Sequence, residues 1–165
     1  MLEQVTEAIV LDKECIGDAH VRVHLFTKSM GRIIAKATSA RKITSKLNAH
    51  LEPLNIITVR LVEKNHLPQV TDALRKDKLP FKVLPALMIV KELAAEYEPD
   101  AALFTALSAP LKDRQNLRRL LSILGYDPQL AECVGCGKPP AYFSLSMLSF
   151  VCEQCFTGGE KYVML

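Results

Sequence analysis

Cysteine is scarce in this 165-residue chain, and four of its five copies fall in CVGCGKPPAYFSLSMLSFVCEQC, from Cys133 to Cys155. Long apolar runs are missing. VLPALMIV (Val83 to Val90) is among the longest, far short of the ~18 residues that cross a bilayer as a helix. The opening MLEQVTEAIVLDKE lacks the basic head and extended apolar core of a secretory signal. The expectation is a cytoplasmic protein whose thiols stay reduced, which turns paired cysteines toward metal and away from disulfides. Glycine is sparse, and no glycine-rich phosphate loop follows a strand; TGGEK near the end reads as a turn. No nucleophile, base and acid form a recognisable set, so no enzymatic activity is expected.

Acidic residues are absent from one window. Between Asp18 and Glu52 there is none, while Arg22, Lys28, Arg32, Lys36, Arg41, Lys42 and Lys46 all lie there. The formal charge of the whole chain is only +3, so this positive charge is segregated rather than diluted. Such a field attracts polyanions. The plainer alternative is a solvated face whose charge neighbours come from elsewhere in the fold.

What is present in residues 1–79 is strand pattern. VTEAIVL (Val5 to Leu11) is a first run, ending at the charged DKE. HVRVHLF alternates, with Val21, Val23 and Leu25 on one face and Arg22, His24 and Phe26 on a polar outer face. KSMG makes a turn in which Gly31 takes a positive φ, and RIIAKA then places Arg32, Ile34 and Lys36 together. The polar TSARKITSKLNAH is too long for a hairpin and reads as a loop with one helical turn. IITVRLVE and HLPQVTDAL follow, joined at Lys64–Asn65, with Pro68 at an edge or a strand start. Five strands with the long connection between the third and fourth fit an oligonucleotide/oligosaccharide-binding (OB) barrel. Periodicity alone also fits another Greek-key barrel.

From Phe81 the period becomes helical. VLPALMIVKELAAEY is apolar nearly all round and reads as a buried helix. A second helix starts at Asp100. In a third, Asp113 is the N-cap, Leu117, Leu120, Leu121 and Leu124 share a face, Gly125 closes the end and Arg118 and Arg119 are solvated. The expected class is α+β: a barrel over 1–79, then a helical domain over 80–165 carrying the cysteine module at 133–155.

Two Cys-x-x-Cys pairs separated by fifteen residues suit a zinc ion, which takes four tetrahedral ligands about 2.3 Å from sulfur. Each pair supplies two sulfurs, Gly135 and Gly137 permit the tight backbone, and the intervening stretch suffices for a hairpin. Cys133, Cys136, Cys152 and Cys155 would leave no open coordination position, so one Zn ion there is structural. Four thiolates around a divalent ion carry a net charge of about −2, which makes this end a poor phosphate binder. Cys15 reads as a packing residue, and the four histidines have no metal spacing.

The segments EAIVL, GDAHVRVHLFTKSMGRIIAKATSARK, LEPLNIITVRLVE and LLSILGYDPQLAECVGCGKPPAYFS, with FVCEQC, together resemble the bacterial recombination mediator family RecO. The resemblance implies an OB barrel, a helical domain and a zinc module. It implies binding of single- and double-stranded DNA, strand annealing, and help to RecR in loading RecA on strands coated by single-strand-binding protein, without turnover. The implied DNA contacts are the seven cations of the acid-free window, and the implied location is cytoplasmic and nucleoid-associated. Family members usually carry further helices after the zinc module, whereas this sequence ends at Leu165. Contact with the tail of single-strand-binding protein is the implied property most affected. The expectation is that a dimer or another partner covers the apolar helix faces. A different reading of the same residues is a zinc-containing module that contacts RNA or protein in transcription or translation.

Overall fold

The computed structural model describes residues 3–42, 45–64, 67–108, 114–158 and 161–165. The alternating half of the chain becomes β1 (Glu3–Ile16), β2 (His20–Thr27), β3 (Gly31–Ala37), β4 (Asn55–Lys64) and β5 (Leu67–Lys78). They close into a barrel in the order β1-β2-β3-β5-β4, the strand arrangement of the OB fold. A single helical turn, α1 (Leu47–His50), lies in the connection from β3 to β4. Every second residue points inward: Val21, Val23 and Leu25 meet Ile33 and Ala35, Ile57 and Val59 in one buried cluster. Each large aliphatic side chain so buried contributes about 1.5–3 kcal/mol.

Strand β1 outruns its expected end at Leu11 by five residues, passing through the charged DKE to Ile16. It pairs with β4 over Glu3 to Ile9 and with β2 over Ala8 to Ile16, with an irregular step between Val10 and Asp12. Such a step bends a strand so that it can serve two neighbours. The charges are accommodated on its surface: Lys13 reaches Asn48 and Glu52, and Asp12 reaches Lys91.

The outer face of β2 is polar only at its start. Arg22 is exposed, but His24 and Phe26 are buried. Helices α2 (Leu84–Leu93) and α3 (Ala101–Ser108) explain this, because they belong to the barrel's compact unit, Met1–Pro110. Phe104 of α3 stacks on Phe26 with ring centroids 6.2 Å apart. Asp100 caps α3, accepting from the Leu103 N–H at 2.8 Å.

Helix α2 is shorter than its apolar pattern, which extends to Tyr97. Ala94 is extended, Glu96 forms a parallel bridge with Arg32, and the Tyr97 N–H donates to the Arg32 carbonyl at 3.0 Å. The cause lies in β3, whose only registered pair with β5 is Lys36 with Gln69. The backbone groups at the start of β3 need partners, and residues after α2 supply them. Gly31 makes room for this return: its φ is +67°, and a Cβ there would fall 1.9 Å from the Glu98 oxygen.

The second compact unit is Leu111–Leu165. Helix α4 (Arg114–Ile123) buries Leu120 and Leu121, with Leu117 and Leu124 half-buried. It closes at Gly125 through bonds from the Gly125 N–H to Ser122 and the Tyr126 N–H to Leu121, the pair that a left-handed glycine completes. Asp113, Asn65 and His66 lie outside the described residues. Strands β6 (Tyr142–Ser144), β7 (Ser149–Val151) and β8 (Tyr162–Met164) form a small antiparallel sheet in the order β7-β6-β8. Tyr126 packs edge-on against Phe143 of β6 at 5.1 Å.

Candidate nucleic-acid interface and metal centre

The ladder sets Arg22 of β2 directly across from Lys36 of β3, both on the outward side of the barrel. Glu14 of β1 is the opposite neighbour of Arg22, and its carboxylate lies 3.5 Å from the guanidinium. The chain leaving β3 folds back onto the β1–β2 loop. The Arg41 N–H donates to Ala19, its guanidinium donates to the Gly17 carbonyl at 2.9 Å, and the Ser39 N–H donates to His20 Nδ1. Lys42 and Lys46 follow within this connection, both exposed. Among the described residues, no ion pair involves Lys36, Arg41, Lys42 or Lys46.

Two other cations of the window lie apart from this group. Arg32 donates through Nε to the Ala94 carbonyl at 2.7 Å and pairs with Glu96 at 3.0 Å, its side chain only 17% exposed. Lys28 sits at the far end of β2 beside Glu7, 3.7 Å away, and Glu7 also holds Lys76. These two lysines, Lys76 foremost, hold the Glu7 carboxyl below its ordinary value. Between Arg22 and Lys28 the outer face is occupied by the buried His24 and Phe26, and His24 Nε2 is 2.8 Å from Glu14. The acids responsible, Glu7, Glu14 and Glu96, stand outside the window in sequence, so a linear charge count does not reveal them.

The four cysteines converge. Their sulfurs all lie within 4.8 Å of one another, with Cys136 and Cys152 3.5 Å apart. Tetrahedral ligands about 2.3 Å from an ion stand roughly 3.8 Å apart, so the set fits a metal of that kind. The surrounding backbone favours thiolate. N–H groups of Cys152, Gly135 and Cys136 aim at the Cys133 sulfur and bring its thiol down to about 6, against an opposing effect of burial. The N–H groups of Cys155 and Gln154 likewise lower Cys152. Crowding by the Cys136, Cys133 and Cys152 sulfurs pushes Cys155 up to about 12. Negative charge is thus invited and then opposed, an arrangement that a bound cation relieves. Gly135 matters here, since a Cβ would meet the Cys155 sulfur at 3.0 Å. Tyr142 and Phe156 stack beside the cluster with centroids 4.1 Å apart.

Cys15 is exposed on β1, and Arg118 and Arg119 are exposed on α4. His20 and His50 each accept a backbone N–H through Nδ1, so both serve the fold. No helix among the described residues is long and apolar enough to cross a membrane.

An OB barrel with a cationic β2–β3 face, in a chain that also carries a four-thiol cluster, places the protein in the class of OB-fold proteins whose exposed sheet suits a polyanion. Comparison with known proteins narrows it. Residues 1–76 match the family described as Recombination protein O N terminal, and residues 86–163 match Recombination protein O C terminal. The DNA repair protein RecO of Thermoanaerobacter sp. (strain X514) is 30% identical over 173 residues, covering 91% of this chain and 70% of that protein. Its counterpart in Cutibacterium acnes is 28% identical over 94% of this chain and 75% of that protein. The one from Thermobifida fusca is 29% identical over 93% and 74%. The chain belongs to the RecO family of DNA repair and recombination proteins.

Proposed function

We propose that the protein binds DNA backbones through Arg22, Lys36, Arg41, Lys42 and Lys46 and promotes annealing of complementary strands without catalytic turnover. The observation that carries this reading is the concentration of those cations on the β2–β3 face and the connection after β3. Four of the five have no acidic partner among the described residues, and the Arg22–Glu14 pair is exposed and long. Phosphates can displace weak pairing of that kind. Annealing follows if screening of phosphates lets two strands approach, and the same surface serves single and double strands because backbone contacts carry no sequence information. Arg32 and Lys28, read from the sequence as further contacts, act in this proposal as a structural tie and as an outlying cation.

Membership of the RecO family supports a place in recombinational repair, with RecR, RecA loading and single-strand-binding protein as the partners to test. The four cysteines hold one zinc ion as a scaffold: Cys133, Cys136, Cys152 and Cys155 supply all four ligands, and the ion supplies cross-linking rather than chemistry.

Five single-strand phosphates neutralised give log K against log salt a slope near −3.5. Fluorescence anisotropy across a salt series measures it, and a flat response sinks the reading. Neutralising Arg41, Lys42 and Lys46 together should slow strand annealing and weaken binding to all sequences alike. An altered sequence preference instead would mean base readout by these side chains.

A further inference from the structure

On the cationic face lies an apolar slot. Ile16 of β1, Ile34 of β3 and Leu67 and Pro68 of β5 line a cavity of about 120 Å³, with Arg22 and Lys36 at its margin. Leu67 is 62% exposed, so its side chain is open to a ligand from solvent. The slot exists because β3 and β5 share just one registered pair, Lys36 with Gln69, and part there. A larger cleft of about 500 Å³ shares Pro68 and runs toward Met30 and Tyr97. Neither Arg22 nor Lys36 lines that cleft, whereas both line the slot, so a strand held by these two cations meets the slot first.

We propose that the slot takes one unstacked nucleobase of a single strand whose phosphates lie on Arg22 and Lys36. The proposal rests on the DNA-binding reading above and adds to it a reason to distinguish single strands from duplex. The cavity has room for one flat ring and not for a base pair. Bases in a duplex are stacked and paired, so a duplex reaches the cations only, whereas a single strand can turn a base inward. Phe26, the one aromatic of the acid-free window, is fully buried and cannot stack, so among the described residues the apolar contact that the slot offers a base is aliphatic. Such a site accepts any base face and suits the methyl of thymine.

Anisotropy with the 165-residue chain tests this using three probes: an oligothymidylate, the same backbone made abasic throughout, and a duplex. Wild type should bind the oligothymidylate about fivefold more tightly than the abasic strand, the lower end of what one stacked base supplies. Leu67→Ala should remove that difference and leave the abasic strand and the duplex unaffected. Ile34→Thr, which keeps a β-branched residue in β3, should act in the same direction. Equal affinity of wild type for the normal and abasic strands overturns the slot while leaving the cationic face intact. So does a Leu67→Ala loss that is uniform across the three probes. Failure of all three to bind at low salt overturns the cationic face itself, and the slot with it.

Discussion

Arg22 and Lys36 face each other across the β2–β3 ladder, two like charges side by side on an exposed sheet. Opposed like charges cost a sheet roughly 0.2–1 kcal/mol, relieved here only in part by Glu14 on the other flank of Arg22. On the reading proposed above, a bound phosphate relieves that repulsion. Lys36→Thr separates the two effects: it should raise the urea midpoint slightly while weakening DNA and reducing the salt slope by about 0.7. Lower stability together with unchanged binding would show the lysine to be structural.

Arg32 should behave in the opposite way, although it belongs to the same run of cations. Its guanidinium joins β3 to the backbone after α2 and to Glu96. Arg32→Met should cost about 2 kcal/mol, the range of a charge-assisted bond to a partly buried acceptor, with the salt slope unchanged. Urea unfolding and the anisotropy salt series, run on the same preparation, check both halves.

These two residues show how far the sequence could be read. The sign of the window from residue 19 to 51 is visible in one dimension, because it needs only the order of residues. Its neutralisation is not, since Arg32 is met by Glu96 from sixty-four residues downstream. The same holds for β2. Period two placed Val21, Val23 and Leu25 inside the barrel correctly, but covering His24 and Phe26 takes α2 and α3, which only the tertiary fold brings there. The helix pattern to Tyr97 failed for a related reason. Apolarity said that Ala94 and its neighbours are useful to the fold, but not that the unfilled edge of β3 would claim them as extended chain. The cysteine cluster was legible because its geometry is local: two short knuckles on one hairpin need little from the rest of the chain.

Gly31 concentrates two constraints, a positive φ and a backbone oxygen where a Cβ would be. Gly31→Ala must therefore displace the segment around Glu98 as well as strain the turn, at a cost of about 3 kcal/mol. Hydrogen exchange should show the loss first in residues 94–99. Exchange there that stays as slow as in the wild type would refute the close approach.

Asp12 gives the barrel a pH dependence with a definite sign. Burial pushes its carboxyl up, but the Lys91 ammonium and the Lys13 N–H outweigh that and hold it below the ordinary 3.8. A carboxyl lowered on folding adds stability above its unfolded value, and this is lost as pH falls through the lower, folded one. Glu7, lowered by Lys76 and Lys28, adds in the same direction. Asp12→Asn should therefore lower the urea midpoint at neutral pH and flatten its fall on acidification from about pH 4 downward. Parallel acid limbs in variant and wild type would remove Asp12 from the explanation.

The metal prediction separates scaffold from binding surface. On the reading proposed above, zinc is held by all four sulfurs. The ties of the module around Cys133 and Val151 that do not pass through it are short-span: two three-residue strand pairings, backbone bonds such as Val134 N–H to Phe150, and ring contacts among Tyr142, Phe143, Phe150, Phe156 and Tyr162. On that reading the module keeps its form through the ion, and binding of the ion is in effect folding energy. Chelation, or Cys136→Ser, should abolish a stoichiometry of one zinc per chain measured by atomic emission. Amide protection should then collapse within residues 133–165, while the barrel keeps its protection and its salt slope on single strands. Amide protection that survives complete removal of metal would mean that packing alone holds the module. Loss of DNA affinity in step with zinc would move the binding surface to the cysteine end, against the charge the metal site carries.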